Sequence, residues 1–140
     1  MTSSGRVLAL DIGSVRVGAA VSDFNRIIAQ GLGVWNFETW REEFDASLKK
    51  YDPAIIVIGL PVRTDGTHGD ACINVKAIMK KLSAEYPERE FELYDERFTT
   101  RIAQDVLISA DISRRSRKKH VDKLAAVIIL ESWLESRRQY

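Results

Sequence analysis

A single cysteine, Cys72, leaves this chain no internal disulfide. That suits a reducing compartment and excludes a stapled secreted scaffold, and Cys72 itself is expected to be a small residue on a helix. Histidine is nearly as scarce: His68 and His120 have no serine or cysteine partner at the spacing of a hydrolytic triad. The formal net charge is only +1, so the overall field argues neither for nor against nucleic acid, and the distribution of charge must decide. No apolar run approaches the roughly 20 residues of a membrane span. The opening Met1-Thr2-Ser3-Ser4-Gly5-Arg6 lacks the regions of a signal peptide, so a soluble, cytoplasmic protein is expected. The P-loop pattern G-x-x-x-x-G-K-[ST] is missing. So is the G-x-G-x-x-G fingerprint, and a second strand follows the first where a dinucleotide fold needs a helix. There is no internal repeat, linker or low-complexity stretch.

What is present is apolar material for a core. At 140 residues and 45% hydrophobic, the chain suits one domain over residues 1–140 and has no room for a second. Val7-Leu8-Ala9-Leu10 reads as a strand covered on both faces. It ends in the carboxylate of Asp11, turns on small residues and returns as Arg16-Val17-Gly18-Ala19-Ala20-Val21-Ser22. Residues 27–37 form a third strand, with Gly31 and Gly33 allowing a bend or bulge. A helix over 38–51 carries Trp40, Phe44, Leu48 and Tyr51 on one stripe, and Asp52-Pro53 breaks it. Residues 54–61 are a buried strand; residues 70–86 are a helix carrying Ile73, Ala77, Ile78 and Leu82. Phe91-Glu92-Leu93-Tyr94 alternates as the fifth strand. Thr99 or Thr100 then caps a helix running to about 110, and a last helix spans 120–138 with Val121, Leu124, Ala125, Ile128, Ile129 and Leu134 available to pack.

The order is β-β-β-α-β-α-β-α-α, an α/β chain. Right-handed crossovers place strand four beside strand one and strand five beyond it. The result is a five-stranded mixed sheet of order 3-2-1-4-5, strand 2 antiparallel, with helices on both faces. Strands one, four and five then end at one edge, where open α/β sheets bind ligands. Asp11 and Glu96 lie at the outer two ends, roughly 9–10 Å apart across two strand spacings. Gly59 between them leaves that gap open, and Asp122, in the first turn of the last helix, overhangs it. A charged group closing a buried strand is costly unless something binds it. Three carboxylates together resist ionising at once unless a cation sits among them. An oxygen-only set favours Mg²⁺ or Mn²⁺ over Zn²⁺. Each acid also has a plainer reading: Asp11 as a turn cap, Glu96 paired with Arg97 or Arg101, Asp122 favoured by the helix dipole.

Positive charge is concentrated in Arg114-Arg115-Ser116-Arg117-Lys118-Lys119-His120, immediately before Asp122. Such a run is by default a solvated loop. Beside the acidic edge, Arg114, Arg115, Arg117, Lys118 and Lys119 are candidates for gripping a phosphate backbone without reading bases. Thr99, Thr100 and the loop over 63–69 are candidates for positioning substrate, with capping and turn formation as the alternatives. Arg16 either contacts phosphate near Asp11 or pairs with Asp23.

Together these residues carry a family resemblance. Asp11-x-Gly13-x-x-Arg16-x-Gly18-x-x-Val21-Ser22-Asp23, Gly59-Leu60-Pro61 with Gly66 and Gly69, Asp95-Glu96-Arg97-x-Thr99-Thr100-x-x-Ala103 and Asp122-Lys123-x-Ala125-Ala126 resemble the YqgF family, also called RuvX, over about 6–134. The resemblance implies an RNase H-like fold and kinship with Holliday-junction resolvases. It also implies a nuclease role in maturing the 5′ end of 16S ribosomal RNA, with the small-subunit precursor as partner, and Asp11, Glu96 and Asp122 as a metal-binding triad. The chain departs from the family at Val15, usually basic, and at Glu131, commonly glutamine. Metal-dependent hydrolysis of a phosphodiester is the expected reaction. A four-way-junction resolvase, acting as a dimer, and a non-catalytic nucleic-acid-binding factor are the competing expectations; the chain itself is expected as monomer or homodimer.

Overall fold

The structure, a computed structural model, describes residues 4–99 and 114–138, with side chains in the last helix from residue 124 onward. The strands are β1 (Val7–Ile12), β2 (Arg16–Ser22), β3 (Ala29–Asn36), β4 (Ile55–Leu60) and β5 (Glu90–Asp95); the helices are α1 (Trp40–Tyr51), α2 (Asp70–Glu85) and α3 (Arg114–Arg138). The sheet runs β3-β2-β1-β4-β5. β2 is antiparallel to β1 and β3, and β4 is parallel to β1 and β5. The expected order and directions are therefore observed. Residues 100–110 of the helix expected over about 99–110, and the side chain of Val121, lie outside what the structure describes.

Alternation along the central strands divides the core into two layers. Leu8, Leu10, Val17, Ala19, Val21, Ile56 and Ile58 face α1 and α2, where they meet Trp40, Phe44, Leu48, Cys72, Val75 and Leu82. Val7, Ala9, Ala20, Ile55 and Val57 face α3 and meet Ala126, Ile129, Leu130, Trp133 and Leu134. The apolar run Val7-Leu8-Ala9-Leu10 is thus fully buried because it has a helix layer on each side. The bulge expected near Gly31 and Gly33 is present. Ala19 pairs Gly33 and Ala20 pairs Gly31, so Leu32 is the extra residue, and Gly33 takes φ +156°.

Two helix faces differ from expectation. On α2, Ile73 is 57% exposed and Ala77 is also exposed, while Cys72, Val75 and Leu82 are buried. The helix has apolar residues on two stripes, and the one continued by Met79 packs on the sheet. On α3, Leu124, Ala125 and Ile128 are only half-buried, and the seam is Ala126, Ile129, Leu130, Trp133 and Leu134. Residues 124–130 are apolar all round, so periodicity there selects no face. α3 also starts earlier than expected. The backbone of Arg114, Arg115, Arg117, Lys118 and Lys119 is helical, not a loop, in keeping with the good helix propensity of arginine and lysine.

Candidate active site at the strand ends

Asp11 occupies the penultimate position of β1 and pairs across to Gly18 of β2. On its other side, one step beyond the Leu10–Ile58 pair, lies Gly59 of β4. Asp11 shares the sheet face of Val7 and Ala9, the α3 side. Glycine on both flanking strands clears a hollow around it on that face. Glu96 opens a short 3₁₀ turn, Glu96–Phe98, directly after β5. The Thr99 hydroxyl donates to the Glu96 carbonyl at 3.0 Å, so Thr99 caps the turn that aims Glu96.

The geometry across the gap is close. A methyl group built on Gly59 would lie 3.1 Å from Glu96 Oε1 and 2.6 Å from Ile129 Cδ1. Glu96 therefore leans back over β4 into the space that Gly59 vacates, beneath α3. There its side chain is hydrogen-bonded to Asp11. Burial, the charge of Asp11 and that shared bond push the Glu96 carboxyl up to about 7. Two carboxylates this close resist being ionised together without a counter-charge. Gly59→Ala is expected to displace Glu96 and destabilise the fold by about 1–3 kcal/mol through overpacking. In chemical denaturation, Ile129→Val in the same chain should recover part of that stability by removing Cδ1. It should not recover activity, because the Glu96 crowding remains.

Asp122 is the third expected acid, and its side chain lies outside the described residues. Its helix position is seven residues before Ile129, about two turns, and Ile129 lies over Gly59. α3 runs away from this edge, since Arg138 donates to the carbonyls of Arg26 and Ile27 at the opposite end of the sheet. Position 122 is therefore on the acidic-edge side of Ile129. Among the described residues no group of three His, Cys, Asp or Glu side chains is placed to hold a metal ion. Asp11 and Glu96 are two hard oxygen donors, hydrogen-bonded to each other and half-buried, a set that fits a hard divalent cation.

The other expected residues divide. Arg16 is exposed at the start of β2, with its carbonyl accepting from Gly13 at 2.9 Å, so it belongs to the acidic edge. Asp23 lies at the far end of β2 and caps its own turn, accepting from Ile27 and Ile28 at 2.7 and 2.8 Å. Thr100 lies outside the described residues, as do the side chains of Arg114, Arg115, Arg117, Lys118 and Lys119. Arg97 does not take the role of partner to Glu96. It is held by Asp95 through Nε at 3.1 Å and Nη2 at 2.7 Å, and this pairing holds the Asp95 carboxyl below its ordinary range. Asp95 is the N-cap of the 3₁₀ turn, its carboxylate accepting also from the Arg97 amide at 2.9 Å, so Arg97 folds back onto its cap residue while Glu96 turns toward β4. The loop after β4 packs nearby, with Gly66 at φ +87° beside Arg97 Nη1 and Asp65 accepting from Thr67 N and Oγ1 at 2.9 and 2.6 Å. In that loop the polar residues build turns.

A mixed sheet of this order with an acid on β1 and another just beyond β5 defines a class. The fold is RNase H-like. It superposes on Thermus thermophilus RuvC in complex with a Holliday junction substrate with a TM-score of 0.62, at 12% identity over 96% of both chains. It also superposes on the yeast mitochondrial Holliday junction resolvase Ydc2 with a TM-score of 0.63, at 15% identity over 96% of this chain and 80% of that one. Within that class the chain belongs to the RuvX family, described as Holliday junction resolvase, whose profile matches residues 5–136. Similar proteins include one from Bacillus cytotoxicus, 40% identical over 94% of this chain and 99% of its own length. Another, from Halalkalibacterium halodurans, is 42% identical over 93% of this chain and 96% of its own. Both carry the name "Putative pre-16S rRNA nuclease".

Proposed function

We propose that this chain is a divalent-metal-dependent endonuclease that hydrolyses phosphodiesters, with the 5′ end of precursor 16S rRNA as its substrate. The observation that carries the chemistry is the hydrogen-bonded pair Asp11 and Glu96 over Gly59. The names of relatives near 40% identity carry the substrate. Asp11, Glu96 and Asp122 would hold Mg²⁺ or Mn²⁺. Bound there, the metal supplies an activated water and stabilises charge on the leaving oxygen. Asp11 is fixed by the β1 ladder, and Glu96 by its short turn and the Thr99 cap, so neither needs to reorganise. Both are accessible from the sheet edge yet shielded behind by Ile129. Arg16, Arg114, Arg115, Arg117, Lys118 and Lys119 would hold the phosphate backbone alongside, with Thr99 and Thr100 near the cut.

Purified protein incubated with precursor RNA carrying the native 5′ flank, beside a four-way DNA junction, tests this. Mg²⁺- or Mn²⁺-dependent cleavage of the RNA is expected, and cleavage of the junction alone would move the substrate to DNA. The family description favours that second reading. Binding that survives loss of the acids, with no turnover in Mn²⁺, would make the protein a non-catalytic binding factor. Affinity should fall steeply with salt. Replacing Arg117 and Lys118 by Ala should reduce the slope of log K against log[salt] by about 2 if both contact phosphates. An unchanged slope would remove the basic run from the interface.

A further inference from the structure

On the opposite face of the same sheet edge lies a cleft of about 390 Å³ whose walls include Ile12, Ser14, Phe37, Asn74, Ala77 and Ile78. It begins one residue beyond Asp11, so its wall and the catalytic strand end are about 3.8 Å apart along the backbone. Two features mark it as more than a packing gap. Ala77, on the stripe of α2 that the core leaves uncovered, lines it. The segment carrying Phe37 is tied to the β1–β2 turn by a bond from the Phe37 amide to the Val15 carbonyl at 3.0 Å, so the aromatic ring is attached to the turn that follows Asp11. The cleft is mainly apolar, with an amide and a hydroxyl, Asn74 and Ser14, among its lining. Such a mixture suits a flat heteroaromatic ring, whose faces stack and whose edge hydrogen-bonds. Arg16, exposed on the same turn, gives a polyanion crossing there a complementary charge.

We propose that this cleft is a nucleobase subsite, receiving one unstacked base next to the scissile phosphate as the strand bends over the β1–β2 turn. The proposal rests on the nuclease reading for its substrate. In it Phe37 provides the stacking surface, while Asn74 and Ser14 meet the edge of the base. The site therefore prefers a strand that is single at the cut over one locked in a duplex.

The test uses fluorescein-labelled single-stranded RNA spanning the precursor cut site, and a series in which each flanking nucleotide in turn is abasic. Anisotropy gives Kd and gel analysis gives cleavage, for wild type, Phe37→Ala and the cleft-filling Ala77→Trp. Ala77 is exposed, so the latter variant keeps the fold, and an unchanged far-UV spectrum and Tm confirm it for both. An abasic nucleotide at one position beside the cut should weaken wild-type binding about 10-fold. Each variant should bind intact RNA about 10-fold more weakly, and the same abasic site should cost it nothing further. Equal losses at every abasic position, or variants that bind and cleave like wild type, would overturn the subsite while leaving the nuclease standing. The selective pattern in Kd with no cleavage in Mn²⁺ would support the subsite and sink the nuclease reading. Failure to bind RNA at all would overturn the subsite and the RNA substrate, and with no cleavage of the four-way DNA junction either it would sink the nuclease reading too.

Discussion

Asp11→Asn is expected to lower metal-dependent cleavage by on the order of 10³-fold while the protein stays folded. Metal-borne stabilisation of a transition state amounts to several kcal/mol, and each 1.36 kcal/mol is about tenfold in rate. The amide keeps the shape of the carboxylate and can still hydrogen-bond to Glu96, so the strand end is not unpacked. It loses the charge that the proposed metal ligand would bring. Single-turnover cleavage in Mg²⁺ and in Mn²⁺ measures the effect. A variant retaining more than a tenth of wild-type turnover, with an unchanged metal requirement, would remove Asp11 from the site. A loss that Mn²⁺ partly restores would be the mark of a weakened metal ligand, because the softer ion tolerates a neutral oxygen better.

The acidic edge was legible in the sequence because it depends on strand ends, the most strongly constrained points of an α/β chain. Once β1, β4 and β5 are parallel, Asp11 and Glu96 must come to one edge whatever the loops do. Gly59 follows, as the residue between them without a side chain. The face of α2 was not legible, because Ile73 and Ala77 are as apolar as the residues that pack. Only the sheet surface decides between the two stripes, and Ala77 of the stripe it leaves over lines the cleft. The helical start of α3 was obscured for a different reason. A basic run reads as solvated, but nothing between Arg114 and Leu124 breaks a helix, and local propensity prevails where solvation is satisfied in either form. The Asp95–Arg97 pair was not legible because it depends on the strand ending at Asp95: the 3₁₀ turn that follows uses Asp95 as its cap and brings Arg97 back onto it.

The second large effect concerns the protein without metal. Glu96 titrates at about 7 in the fold against an ordinary value of 4.5. Between those values the folded state binds more protons than the unfolded chain, so stability falls as pH rises. The contribution is fully present below about pH 4.5 and lost once pH has passed 7. Allowing for the part of the carboxylate that solvent reaches, the loss is about 2 kcal/mol. Glu96→Gln removes it, since the amide has no proton to lose. In EDTA at pH 8 this variant should therefore be the more stable protein, by roughly 5–10 °C in Tm for a domain of this size, though it has lost its activity. At pH 4.5 the two should melt together. Adding Mg²⁺ at pH 8 should raise the wild-type Tm, because Asp11 and Glu96 then share a cation in place of the proton. It should leave Glu96→Gln nearly unmoved. Calorimetry at the two pH values, with and without metal, gives all four comparisons. A wild type that melts at the same temperature across this range, with or without Mg²⁺, would show that the two acids are not held against each other. The folding cost from which the proposed metal site is argued would then be missing.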